Sequence, residues 1–452
     1  MAPVSAAQDK MRAERLPDIA VDTFAHYERR LREGEQGMLP ESEIEPLAEL
    51  TNAADLSAGD GAALDQAVVL KLNGGLGTSM GMTRAKSLIE VKDGLSFLDV
   101  IVRQVLHLRE RHGARVPLLL MNSFATRNDT LAALERYPEL AVDDLPVDFV
   151  QGRVPKLRED NLDPVEWPAD RTLEWAPPGH GDVYTSLATS GMLSMLLERG
   201  YRYLFLSNSD NLGAALDPRI LSWFAAEGLP FLSESTDRTE SDRKGGHLAR
   251  RRSDGGLVLR ETAQTPDSDR ESFEDLGRHR FFNCNNIWVD LRALERKLRE
   301  SDGVLGLPMI VNRKTVDPAN PSSPAVVQLE TAMGAAIGVF EGAAALRVPR
   351  VRFAPVKTTN QLLVVRSDAY ELADDWTVRP AADPIPVVSL DQEYYKLLGE
   401  FEERFAFGPP SLLQCRRLEV DGDVSFGRDV AVKGEVRLEG PLSIPDGEVL
   451  EG

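Results

Sequence analysis

A chain of 452 residues that is 42% hydrophobic can bury more than one domain core. Its 28 prolines and 35 glycines exclude a collagen-like or broadly disordered polymer. The 72 acidic and 52 basic residues leave a formal net charge of −20, which excludes non-specific nucleic-acid binding. A polyanionic ligand would need a local cluster of lysines and backbone N–H groups, bridged by a divalent cation. Cys284 and Cys415 make neither a disulfide framework nor a zinc pattern. The opening MAPVSAAQDKMRAERLP lacks the apolar core of a signal peptide, and no apolar run approaches membrane-spanning length. A soluble, cytoplasmic protein with no membrane partner is expected.

Residues 1–60 are rich in Ala and Glu and place Phe24, Tyr27 and Leu31 at helical spacing, which predicts a small helical N-terminal segment packed on the main body. From about residue 65, strands and helices alternate. Residues 67–72 read as a buried strand, and Ser96-Phe97-Leu98-Asp99 opens a helix with a capping-box pattern that Gly113 stops. Residues 116–121 and 147–150 are further strands around a helix over 128–136. Residues 186–199 form an amphipathic helix ended by Gly200, 201–206 a buried strand, and Asp217-Pro218 starts a helix that Gly228 ends. Residues 246–252 and 256–262 form an antiparallel hairpin at one side. Lys357 follows the run 351–356 and precedes two threonines, which places it at a strand end. Such alternation implies right-handed βαβ units, hence an α/β fold over 61–380 with a mixed, mostly parallel, Rossmann-like sheet flanked by helices.

From Leu418 the chain falls into sixes: LEVDGD, VSFGRD, VAVKGE, VRLEGP, LSIPDG. Leu418, Val424, Val430, Val436 and Leu442 make one apolar column, and Val420, Phe426, Val432, Leu438 and Ile444 a second. A meander of short strands explains the alternation but not the fixed period. The period predicts a left-handed parallel β-helix within 381–452. Its hydrophobic end needs a cap, from residues 448–452 or from another subunit, which leaves a homo-oligomer open.

The stretch LNGGLGTSMG, residues 72–81, follows the first strand directly. A mononucleotide P-loop needs a Gly-Lys pair, which this turn lacks. The dinucleotide fingerprint needs a glycine three places after Gly77, where Met80 stands, and no acidic residue sits at the expected distance. What remains is a strand, a glycine turn and Lys86. Leu72, Asn73, Gly74 and Gly75 can then present backbone groups to a nucleoside triphosphate while Lys86 supplies charge. A plain surface loop is the competing reading, but a buried strand feeding the turn sets it at the carboxyl edge of the sheet, where α/β proteins bind ligands.

With these residues in place, the sequence resembles the eukaryotic-type UDP-glucose pyrophosphorylase (UTP–glucose-1-phosphate uridylyltransferase) family. LNGGLGTSMG with Lys86 is similar to its nucleotide loop. The likeness continues through Met121-Asn122-Ser123, Gln151-Gly152-Arg153-Val154-Pro155-Lys156, Trp175-Ala176-Pro177-Pro178-Gly179-His180-Gly181-Asp182 and Ser207-Asn208-Ser209-Asp210-Asn211-Leu212-Gly213. Lys244-Gly245-Gly246, Asn283-Cys284-Asn285-Asn286 and Val356-Lys357-Thr358-Thr359 complete it, in order, over about residues 65–440. Two departures stand out: Arg84-Ala85 where the family has Gly-Pro, and Cys284 where it has Thr.

The resemblance implies attack of a glucose 1-phosphate oxygen on the α-phosphorus of UTP, giving UDP-glucose and pyrophosphate with Mg²⁺. No protein nucleophile is required, only charge neutralisation and in-line positioning. Asp210, beyond the strand 201–206, suits Mg²⁺ by residue type but equally suits a turn cap; the resemblance favours the metal. It also assigns Lys86 and Lys357 to phosphate contact as the catalytic charges, and gives His180 and Gly179 a loop shared by nucleotide and sugar phosphate. His180 then binds rather than acts as a base, since the attacking phosphate is already ionised. Gln151 can read a uracil edge with its amide, Asn208 a phosphate or ribose. Gly246, Glu261, Asn283 and Asn285 would line the sugar pocket.

Other functions fit less well. A UDP-sugar or UDP-N-acetylhexosamine pyrophosphorylase usually carries Arg-Leu-Gly where Ser79-Met80-Gly81 stands. A hexapeptide acyltransferase needs a histidine in the coils, and the last is His279. A non-catalytic sugar-nucleotide-binding protein would keep the same motifs.

Overall fold

The computed structural model describes residues 5–59, 61–142 and 144–452, apart from the side chains of Ser79 and Ser241. Among them lies an eleven-stranded mixed sheet. Its principal strands are β1 (Thr51–Asn52), β2 (Ala67–Asn73), β3 (Leu118–Asn122), β4 (Asp148–Val150), β5 (Tyr203–Asn208), β6 (Phe231–Asp237), β7 (Phe281–Asp290) and β8 (Ala344–Arg347), in the spatial order β1-β8-β6-β7-β5-β2-β3-β4. β5, β2, β3 and β4 run parallel, as do β6, β8 and β1. β7 alone is antiparallel to both of its neighbours, β5 and β6. The hairpin His247–Arg251 and Leu257–Arg260 joins at one side, together with Ile44–Pro46.

β2 reads Ala-Val-Val-Leu-Lys-Leu-Asn because both faces are covered. Val68 and Leu70 pack toward the helices Val183–Thr189, Met192–Glu198 and Leu291–Glu300, and Val69 toward Phe97–His112 and Pro218–Ala226. Ser96 caps Phe97–His112 through a reciprocal bond with Asp99, and Gly113 ends it in the left-handed conformation. Asp217 caps Pro218–Ala226 by accepting from the Arg219 N–H.

Three expectations change. The single helix over 186–199 is two, because Gly191 turns left-handed (φ +75°) after Ser190. Residues 351–356 form no strand: a 3₁₀ turn over Arg350–Arg352 leads into irregular chain, so Lys357 precedes the helix Thr359–Arg366 instead of ending a strand. The N-terminal segment is helical only over Ala6–Ala13 and Asp18–Arg32; Ile44–Pro46 and Thr51–Asn52 enter the sheet. Phe24, Tyr27 and Leu31 are buried as the spacing predicts, against Val154, Leu157, Met309 and Leu329.

At the C-terminus, parallel strands stack. Leu418 pairs level with Val436, and Val424 with Leu442, so successive strands are three sixes apart. The apolar columns are buried except Leu442. Val449–Glu451 pairs with Ala431–Lys433 and adds a strand to the stack. Among the described residues no helix is long and apolar enough to cross a membrane.

Candidate active site

Because β2, β3, β4 and β5 are parallel, their carboxyl ends share one edge, which gathers Asn73, Asn122, Gln151 and Asn208. β7 reaches the same edge by its amino-terminal half: Leu206 lies opposite Ile287, and continuing that register brings Asn285 level with Asn208. The antiparallel strand β7 thus carries Asn283 and Asn285 to the edge where the glycine turn lies.

The four glycines of the turn serve different ends. A Cβ on Gly74 would meet the Gln151 amide at 2.6 Å, one on Gly77 the Met82 sulfur at 2.7 Å, and Gly81 adopts φ +74°. Only at Gly75 does nothing lie within 4 Å, so that backbone is the open one. Its carbonyl accepts from the Lys86 N–H at 3.1 Å, and Leu76 pairs with Ala85. Leu72 is half-buried and its carbonyl accepts from Ser209 N–H, while the Asn73 amide donates to Asn122 Oδ1 and Thr130 Oγ1 inside the core. The Asn73 amide nitrogen is thereby committed to the core.

Lys86 Nζ donates to Asp210 Oδ2 at 2.7 Å, joining the glycine turn to the loop after β5. Asp210 Oδ1 is buried and has no hydrogen-bond partner. Among the described residues no group of three or more His, Cys, Asp or Glu could hold a metal by itself. The donor set fits a hard cation completed by substrate phosphates, since Mg²⁺ commonly takes one or two carboxylates and keeps its remaining positions for phosphate and water.

On the other side, His180 Nδ1 accepts from the Met333 N–H at 3.0 Å. Burial pushes its pKa down to about 4, so the ring is neutral at pH 7 and carries its proton on Nε2 as a donor. The flanking glycines answer to protein rather than to a ligand: Cβ atoms on Gly179 and Gly181 would each meet Thr331 at 2.4 Å. Asp182 accepts from Gly152 N–H and Ser186 Oγ, both at 2.6 Å, and so ties the His180 loop to the Gln151 turn. The Glu261 carboxylate overlies Gly246, whose Cβ would stand 2.6 Å from Oε2. Burial raises the pKa of Glu261, and the charge of Lys357 opposes that rise. Asn283 Nδ2 donates to Asn285 Oδ1, and Asn285 holds a left-handed φ of +55°. Lys357 itself is exposed.

A sequence profile of the family described as UTP–glucose-1-phosphate uridylyltransferase matches residues 21–433. The chain belongs to this family. A relative so named from Pyrus pyrifolia is 43% identical over 395 residues, covering 86% of this chain and 81% of its own. A solved UDP-glucose pyrophosphorylase mutant from Leishmania major in complex with UDP-glucose superposes with a TM-score of 0.94 at 45% identity, covering 100% of this chain and 98% of its own. A UDP-glucose phosphorylase from Trypanosoma brucei gives 0.90 at 46% identity, with 99% and 97% covered. Within the family the departures are harmless in geometry. Ala85 is buried and still pairs with Leu76, while Cys284 lies in the core with its thiol pushed up by burial, unfit as a nucleophile. Residue reasoning gave no role to Lys71, Glu234 or Arg352, and quoted Asp182 and Asn211 within motifs without assigning them a contact. A lysine inside the apolar run of β2 was the legible sign for the first.

Proposed function

We propose that the chain forms UDP-glucose and pyrophosphate from UTP and glucose 1-phosphate at this edge. The observation that carries the site is the Lys86–Asp210 contact between the glycine turn and the β5 loop, with one carboxylate oxygen left unpaired. A glucose 1-phosphate oxygen attacks the α-phosphorus; the bond to the bridging oxygen breaks, and pyrophosphate leaves with its electron pair. The open backbone at Gly75 holds phosphate oxygens, with Leu72, Asn73 and Gly74 shaping the turn and the Gln151 amide reading the uracil edge. Asp210 holds Mg²⁺, which when bound neutralises phosphate charge. Lys86 and Lys357 supply the remaining positive charge, Lys357 at the reacting phosphate. His180 donates from Nε2 to the sugar phosphate, Gly179 shapes that loop for the nucleotide, Asn208 contacts phosphate or ribose, and Gly246, Glu261, Asn283 and Asn285 hold the sugar hydroxyls. Residues 61–380 form the catalytic unit, residues 1–60 a flanking segment, and the parallel strands within 381–452 a left-handed β-helix that serves assembly. Chelation should abolish pyrophosphate release from UTP and glucose 1-phosphate, and Mg²⁺ should restore it. Full turnover in excess chelator would overturn the metal assignment.

A further inference from the structure

The segment that carries Lys357 has no regular structure before its helix, yet the proposed mechanism asks it to hold an ammonium in register with Asp210. The two segments are stitched together below the site. Val356 N–H donates to the Asp210 carbonyl at 3.1 Å, and Asn211 pairs with Pro355 in an isolated bridge. The Asn211 side chain, 1% exposed, uses both ends: Oδ1 accepts from Ala354 N–H at 3.0 Å, and Nδ2 donates to the Arg352 carbonyl at 3.1 Å and to Asn286 Oδ1 at 3.2 Å. Gly213 completes the fit, since a Cβ there would meet the Val351 carbonyl at 2.2 Å.

Beneath this seam lies an ion pair whose carboxylate, Glu234, is fully buried. Glu234, on β6, receives four donors: Arg352 through Nε at 2.7 Å and a terminal nitrogen at 2.6 Å, Asn286 Nδ2 at 3.0 Å and Trp288 Nε1 at 2.9 Å. Arg352 also donates to the Ala215 carbonyl at 3.0 Å. Lys71 Nζ donates to Ser207 Oγ at 2.7 Å and to the Ala214 carbonyl at 2.5 Å, one bond on either side of Asp210. Fork-to-fork Arg–carboxylate pairing with every carboxylate lone pair engaged fixes geometry as well as charge. A network so completely satisfied has one arrangement open to it, and both segments hang from it.

We infer that the Asn211–Asn286–Arg352–Glu234 network is a positioning device that sets the separation of Asp210 and Lys357. This rests on the proposed roles of those two residues. None of the four side chains needs to touch substrate; they act through the two that do. A displacement of about 1 Å in a catalytic group can cost up to about a hundredfold in rate, which gives such a brace its leverage.

The test is a double-mutant cycle on the full chain, with kcat, the KM for UTP and Tm measured together. Asn211→Ala removes the side-chain bonds of the seam without leaving a buried charge, so it is preferred to changes at Glu234 or Arg352. It should lower kcat about tenfold while moving the KM for UTP by less than about threefold. In a Lys357→Ala background the same change should cost less than about twofold, because no ammonium is left to position. Asn286→Ala is the second variant should Asn211→Ala fold poorly, and it should behave alike. Equal losses of kcat in both backgrounds, or kcat unchanged in Asn211→Ala, would overturn the inference. If Lys357→Ala alone leaves kcat near wild type, the assignment of Lys357 falls, and the inference with it, recognisably by that single variant.

Discussion

At Asp210, one carboxylate oxygen is bound by Lys86 and the other is buried without a partner. A buried acceptor left unmatched is costly, and a cation offers the match. Asp210→Ala should therefore cut turnover by roughly two orders of magnitude or more while leaving the fold intact. Near-normal rates at saturating Mg²⁺ would remove Asp210 from the metal. Lys357 poses a different question, since it is exposed. Charge concentrates on the α-phosphate and the departing pyrophosphate, so its ammonium is worth more in the transition state than in the bound complex. Lys357→Ala should depress kcat by about a hundredfold or more with a milder change in the KM for UTP. Lys357→Arg should recover little, because a planar guanidinium does not occupy the place of a point ammonium. A steep rise in KM with kcat near wild type would make Lys357 an ordinary binding residue.

Among the elements, those whose limits are set by local chemistry were legible in the sequence. The capping box at Ser96, the stop at Gly113 and the Asp217-Pro218 start all fall where the residues place them. So do the buried strand β2 and the glycine turn that follows it. Elements decided by distant partners were not. A helical pattern over 186–199 hides a break because glycine tolerates both helical and left-handed backbone, and only packing chooses. The run 351–356 reads as a strand from sequence, but its hydrogen bonds go to Asn211 and Asp210 instead of to a ladder. The same limit applies to the site: charged residues beside glycine turns can be named from sequence, whereas Glu234 and Arg352 become a pair only across the fold. The C-terminal stack was legible as a period, yet its end was not. Leu442 and Val449 remain exposed at 41% and 47%, a hydrophobic margin suited to contact with another chain. Removing residues from about 415 onward should change solubility or assembly more than affinity for UTP. A monodisperse truncated protein that no longer binds UTP would contradict a purely structural role.

For the molecule as a whole, buried histidines set an acid limit on stability. His247 and His279 stack at 3.9 Å between ring centres, and Arg238 and Arg260 face His247, while Glu41, Arg260 and Arg278 face His279. Burial lowers the pKa of both, and carries that of His180 to about 4. The unfolded chain therefore takes up protons first, from about pH 6.5 downward. The stability these rings contribute is complete above that pH and is lost as pH falls below it, for His180 down to about 4. Tm should drop between about pH 7.5 and 5, above the range in which ordinary carboxylates titrate, and His247→Phe should blunt the drop. A Tm that is flat over that window would show that the rings are protonated at little cost.

The choice of substrates is the property on which everything else depends. The Gln151 amide beside Gly74 is suited to a uracil edge, and the amides and carboxylate around Gly246 to the hydroxyl groups of an unsubstituted hexose. Pyrophosphate release should be followed with UTP, ATP and GTP, each against a panel of sugar 1-phosphates that includes N-acetylated hexoses. UTP with glucose 1-phosphate should give the highest kcat/KM, by at least about tenfold over any purine triphosphate or N-acetylhexosamine 1-phosphate. Comparable efficiency with a purine triphosphate, or with an N-acetylated sugar, would contradict it.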